Sequence, residues 1–146
     1  MKQISGTWFE VKVRYEQTQE DGTEKMVTGT YVYKAADFGE AFDKAVKHMS
    51  TYTRGEFGIT AMKIAQYGEI VMQDDRTEEK YYRVKVIFIT LDEKTNKEKK
   101  TACHYLVNAD SVEKARKYAD TILSDSMVDF VIEAVQEAKI CDICLD

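Results

Sequence analysis

The chain has 146 residues, 44% hydrophobic and 32% charged, with no proline, a formal net charge of -5 and a pI near 5.2. These values fit one soluble domain, or one domain built of two similar halves, with enough chain to bury a core. They argue against coating duplex DNA through bulk positive charge, and the lack of proline argues against rigid linkers.

The N-terminus MKQISGTWFEV lacks the apolar run of a signal peptide, and no window is long and apolar enough to span a membrane. Three cysteines in such a chain read as reduced thiols, so the expected compartment is the cytoplasm, with no membrane partner.

The first predicted element is WFEVKVRY, residues 8–15, which alternates with period two. Phe9, Val11, Val13 and Tyr15 share one face; Trp8, Glu10, Lys12 and Arg14 share the other. Nearly the same words return in YYRVKVIF, residues 81–88, with Tyr82, Val84, Val86 and Phe88 apolar and Tyr81, Arg83, Lys85 and Ile87 opposite. At an offset of 73 residues the two halves align without a gap, matching Asp37 to Asp110, Glu40 to Glu113 and Tyr31 to His104. The reading is therefore an internal duplication, 1–73 and 74–146, forming a single domain.

Each half continues alike. Polar turns, QEDGTEK and LDEKTNKEKK, precede second strands, MVTGTYVY and TACHYLV, whose facing the sequence leaves ambiguous. Asp37 and Asp110, each with a Glu three residues later, read as helix N-caps. Apolar stripes follow: Phe38, Ala41, Phe42, Ala45, Val46 and Met49, then Val112, Ala115, Ala119, Ile122 and Leu123. Last strands, EFGITAMKIAQ and DFVIEAVQEA, run on into YGEIVM and KICDICL, as bent extensions or further short strands. The predicted fold is α+β: a tandem pseudo-two-fold duplication of a ββαβ unit, mainly antiparallel, with two helices packed on one face. Asp74-Asp75 reads as the solvated link between halves.

The face away from the helices carries Trp8, Lys12, Arg14, Tyr81, Arg83 and Lys85. Rings interleaved with cations suit single-stranded nucleic acid, with bases stacked on rings and phosphates on Lys and Arg. Lys94, Lys97, Lys99 and Lys100 add a basic hairpin tip. The competing explanation is that the cations serve solubility and Trp8 caps the edge of the core.

Other constellations are weaker. Cys141-Asp-Ile-Cys144 with Cys103-His104 could hold zinc, or the pair could be redox-active, but a strand would point residues three apart to opposite faces, which favours packing. His48 and His104 complete no nucleophile pattern, and no glycine-rich phosphate loop occurs. The expectation is a non-enzymatic protein with no cofactor, no metal and no catalytic residues. It would bind single-stranded nucleic acid, or else act as a protein-interaction module, adaptor or inhibitor. An open sheet edge would allow a homodimer.

WFEVKVRYEQTQEDG, GEFGITAMKIAQYGEIVM and FITLDEKTNKEKKTA resemble a domain family of unknown function found in Bacteroides relatives and their mobile elements, including crAss-like phages. The resemblance covers almost the whole chain. It implies a small cytosolic protein without a known active site, and phage relatives that are candidate single-stranded DNA-binding proteins.

Overall fold

Alternating apolar residues on the first strand of each half make two central strands, β2 (Trp8–Thr18) and β6 (Lys80–Leu91). The computed structural model describes residues 1–75 and 77–145. It is α+β, with β1 (Lys2–Ser5) ahead of β2, then β3 (Glu24–Lys34), α1 (Phe38–Tyr52), β4 (Phe57–Ile64) and β5 (Glu69–Met72). After β6 come β7 (Glu98–Ala109), α2 (Val112–Leu123), β8 (Asp129–Ala138) and β9 (Asp142–Cys144). Two sheets form, β1-β5-β7-β6-β8 and β4-β2-β3-β9.

The chain divides into two compact units that do not follow the boundary at 73/74. The β2 unit takes Gly6–Ala65 together with the chain from Ile140 onward; the β6 unit takes Met1–Ser5 and Gln66–Lys139. Each unit is thus completed by the short strand at the end of the other repeat. β5 joins β7 in parallel, Ile70 beside Leu106, and β9 joins β3 in parallel, Ile143 beside Val32. The remaining pairings are antiparallel, so both sheets are mixed.

Inside each unit the helix covers the face that the alternation predicts. In the β2 unit Val11, Val13 and Tyr15 pack with Tyr31, Tyr33, Ala45 and Met49, and Phe9 packs with Ala35 and Ala41. In the β6 unit Tyr82, Val84 and Val86 pack with Tyr105, Val107, Ala115, Ala119 and Leu123. Small alanines at i and i+4 bring each helix close to its sheet, while Met49 or Leu123 fills the far end. The expected stripes were too wide: Phe38, Phe42 and Val112 stay exposed.

The gapless register is corrected in the middle of each half. β2 and β6 match at an offset of 73, as do β4 and β8, down to a bulge at Thr60 and at Glu133 that shifts both pairings at the same place. The second hairpin loop, 92–97, is one residue longer than the first, 19–23. From there β3 and β7, and the two helices, match at 74; the connection from α2 to β8 gives the residue back. Each loop puts its one left-handed residue at the same structural place, Gly22 (φ 85°) and Asn96 (φ 59°), the residue types that tolerate this conformation. Tyr31 therefore corresponds to Tyr105, and His104 to Thr30.

The same shift moves a helix cap. Asp37 caps α1 as expected, accepting from the Glu40 amide at 2.8 Å, while Glu40 Oε2 accepts from the Ala36 amide at 3.1 Å. At α2 the cap is Ser111, accepting from the Lys114 amide at 3.2 Å, not Asp110. Asp110 instead accepts from the Glu79 amide at 2.8 Å, which holds its carboxyl below the usual range. Beside it Tyr118 donates to Glu78 Oε1 at 2.6 Å, and its phenol is pushed up to about 12, chiefly by that bond. Buried Asn108 donates to the carbonyls of Glu78 and Lys80 at 2.9 and 3.0 Å, fixing the approach to β6. Asp74 and Asp75 are exposed, and Asp74 meets the N-terminal ammonium.

Candidate functional site

The expected ring-and-cation face is only partly open. Trp8 is 1% exposed and Tyr81 6%, so neither offers a ring face to a base. Glu10 is buried on the same side of β2 as Trp8, paired with Lys63 at 3.3 Å. Further along β2 the face opens: Lys12 and Arg14 are exposed, next to Thr30 and Thr28 on β3. Neither Lys12 nor Arg14 has an ion-pair partner among the described residues. Arg83 and Lys85 are half-buried, and Lys85 is held by Glu133 at 3.4 Å. The hairpin lysines Lys94, Lys97, Lys99 and Lys100 are exposed. Within the β2 unit Lys12 and Arg14 are exposed on one face, but Trp8 on that face is buried.

The cysteines also differ from expectation in placement. Cys141 lies before β9, not in it, with its Sγ 2.8 Å from where a Cβ on Gly29 would sit, so a side chain there would have to displace the thiol. Cys144 lies on the helix side of β9, beside Tyr33. Both therefore lie on one face. No disulfide joins the three cysteines, and among the described residues no three His, Cys, Asp or Glu side chains gather as a metal site.

His48 on α1 lies in a ring cluster with Tyr31, Tyr33 and Tyr52, its Nδ1 2.7 Å from the Tyr33 hydroxyl. Burial holds the Tyr31 and Tyr33 phenols well above the usual range. Tyr33 and His48 line an open pocket of about 390 Å³ with Lys44, Lys47, Thr51 and Cys144. The Lys44 ammonium is already spent there on the Lys34 carbonyl at 2.6 Å and on Glu40 at 3.3 Å.

One surface was missed by reading the repeat for its agreements. Phe38 and Phe42, one turn apart on α1, are 47% and 46% exposed, and Ile64 on β4 is 55% exposed. Phe38 and Ile64 both adjoin Phe9: the Phe38 ring lies edge-on to it at 5.0 Å and Ile64 is its cross-strand neighbour, while Met62 packs against it and Phe42 lies one turn beyond Phe38 on α1. In the β6 unit the corresponding residues are Val112, Arg116 and Glu137, with Arg116 and Glu137 exposed. The same architecture thus forms with two charges where the β2 unit shows Phe42 and Ile64. The fold does not require the apolar choice. β4, on which Ile64 sits, is the edge of its sheet and carries a single charge, Lys63, whereas β8 carries Asp129, Glu133 and Glu137.

These features define an α+β protein of two mixed-sheet units, one of which exposes Phe38, Phe42 and Ile64 on its α1 and β4 elements. The chain belongs to the family of the domain of unknown function DUF4494, which it matches over residues 7–146. No curated protein and no solved structure matches it. Among the described residues no helix is long and apolar enough to cross a membrane.

Proposed function

We propose that the chain is a non-enzymatic binding protein that docks another protein chain on the α1/β4 side of its β2 unit. The observation that carries this reading is the exposure of Phe38, Phe42 and Ile64 where the matching positions of the other unit hold Val112, Arg116 and Glu137. Half-exposed apolar side chains scattered singly need no explanation, but a contiguous patch beside an unpaired strand does. Large apolar anchors flanking free main-chain groups are what strand addition uses, the backbone giving affinity and the side chains specificity. Resemblance to phage-borne relatives fits an adaptor or inhibitor of this kind.

The test takes its substitutions from the protein's own second unit. In nuclease-treated extract, tagged full-length chain should retain a stoichiometric protein that Phe42→Arg/Ile64→Glu loses, an untagged copy of the chain being counted among the candidates. Retention of the same proteins by both would overturn the reading.

A second reading, single-stranded nucleic acid, keeps the support of Lys12 and Arg14, exposed together on one face. Without Trp8 and Tyr81 it would rest on phosphate contacts alone. Log affinity for a labelled oligonucleotide should then fall by about 0.7 per phosphate contact as log salt rises. Lys12→Glu/Arg14→Glu should remove the binding, and no binding by wild type at low salt would end this reading.

A further inference from the structure

We infer that the chain docked on β4 is β4 of a second copy, paired antiparallel about a two-fold axis. This rests on the reading above and names its partner.

The first ground is the contrast between the two edges. A long unpaired strand is a template for another chain unless something blunts it, commonly charge. β8 is guarded by Asp129, Glu133 and Glu137; at the same structural places β4 offers Glu56, just outside the strand, then Thr60 and Ile64. Both edges share the bulge, so the bulge does not distinguish them. What β4 lacks is the pair of carboxylates that β8 carries at Glu133 and Glu137.

The second ground is that β4 is complementary to itself. Its sequence is FGITAMKI, and its cross-strand partners put Phe57, Ile59, Met62 and Ile64 on the helix side, with Tyr15, Val13, Val11 and Phe9. Gly58 and Lys63 face the other way, with Arg14 and Glu10, and Thr60 and Ala61 occupy the bulge. This arrangement reads the same in both directions, and it does so because of the extra residue at the bulge. Pairing Phe57 of one copy with Ile64 of the other sets Ile59 opposite Met62 and Thr60 opposite Ala61. Lys63 falls opposite Gly58, so no like charges meet. Two short ladders form on either side of the facing bulges, and the exposed Ile64 of each copy covers Phe57 of the other. The same register on β8 would put Phe130 opposite Glu137. A two-fold contact of this kind closes on itself and gives a dimer rather than a fibre.

Sedimentation equilibrium on the full chain tests this. Wild type should reach twice 16.8 kDa as concentration rises, and Thr60→Glu/Ile64→Glu, which installs the β8 residues, should stay at 16.8 kDa. Amide exchange supplies a readout that needs no variant: β4 amides should be protected at high concentration and lose protection on dilution. A wild type that is monomeric throughout, or a dimer that persists in Thr60→Glu/Ile64→Glu, would overturn the pairing. If wild type is monomeric but Phe42→Arg/Ile64→Glu still loses a captured protein, the pairing falls and the docking reading stands. If nothing is captured either, both fall.

Discussion

Trp8→Ala is expected to lower the unfolding free energy by about 3–5 kcal/mol, the usual cost of truncating a fully buried large aromatic. Trp8 is 1% exposed at the start of β2, and its carbonyl accepts from the Ala65 amide at 2.8 Å, tying the beginning of β2 to the chain leaving β4. Emptying that site removes apolar contact and leaves a cavity on the side of β2 that holds buried Glu10 and its ion pair with Lys63. Against a total stability of about 5–15 kcal/mol this is a large fraction. Lys12→Glu, two alternations along the same face but exposed, should stay within about 0.5 kcal/mol. Denaturant melts followed by circular dichroism measure both. Equal small effects would mean that Trp8 is not the core residue described above.

Ending the chain at Lys139 should be comparably costly, although it removes only a short terminal segment. That segment contains β9, which closes the β3 edge of the β2 unit and buries Ile140 and Ile143. Burial of two isoleucines is worth about 3–6 kcal/mol. The loss should fall on the unit made largely of the first repeat. Trp8, the only tryptophan, lies in that unit and reports on it directly. Its emission should shift at markedly lower denaturant in the shortened chain. Removing residues 1–5 is the mirror-image experiment, and it should cost much less: β1 is an edge strand like β9, but Lys2, Gln3 and Ser5 are exposed and Ile4 is only half-buried. A shortened 1–139 chain whose Trp8 transition is unmoved would contradict the exchange of terminal strands.

Period-two alternation in β2 and β6 identified the helix-facing residues, since a strand with one buried side writes that side into every second position. It could not say how much of the opposite side is covered. Trp8 and Arg14 lie on the same side of β2, yet one is buried and the other exposed, because coverage varies along a strand while alternation does not. The exchange of β5 and β9 was also hidden: parallel partners distant in sequence leave no local signal, and a strand of three or four residues has too few positions to show its facing. The one-residue slip between halves was legible in principle. Ala41, Ala45 and Met49 repeat at Ala115, Ala119 and Leu123, one residue beyond the offset of the first strands. The chance agreements of Asp37 with Asp110 and Glu40 with Glu113 masked it.

With that register restored, the informative positions are those where the halves disagree. Phe42 against Arg116 and Ile64 against Glu137 are visible in the sequence once the slip is known. They separate residues required by the shared architecture from residues that only one unit carries.

The measurement closest to the central claim is the unfolding free energy of Phe42→Arg/Ile64→Glu, taken at concentrations low enough that association does not contribute. If the patch serves docking, stability should match wild type within about 0.5 kcal/mol while association is lost. A loss of about 2–5 kcal/mol, as for a buried apolar side chain, would place Phe42 and Ile64 in the core and contradict the account.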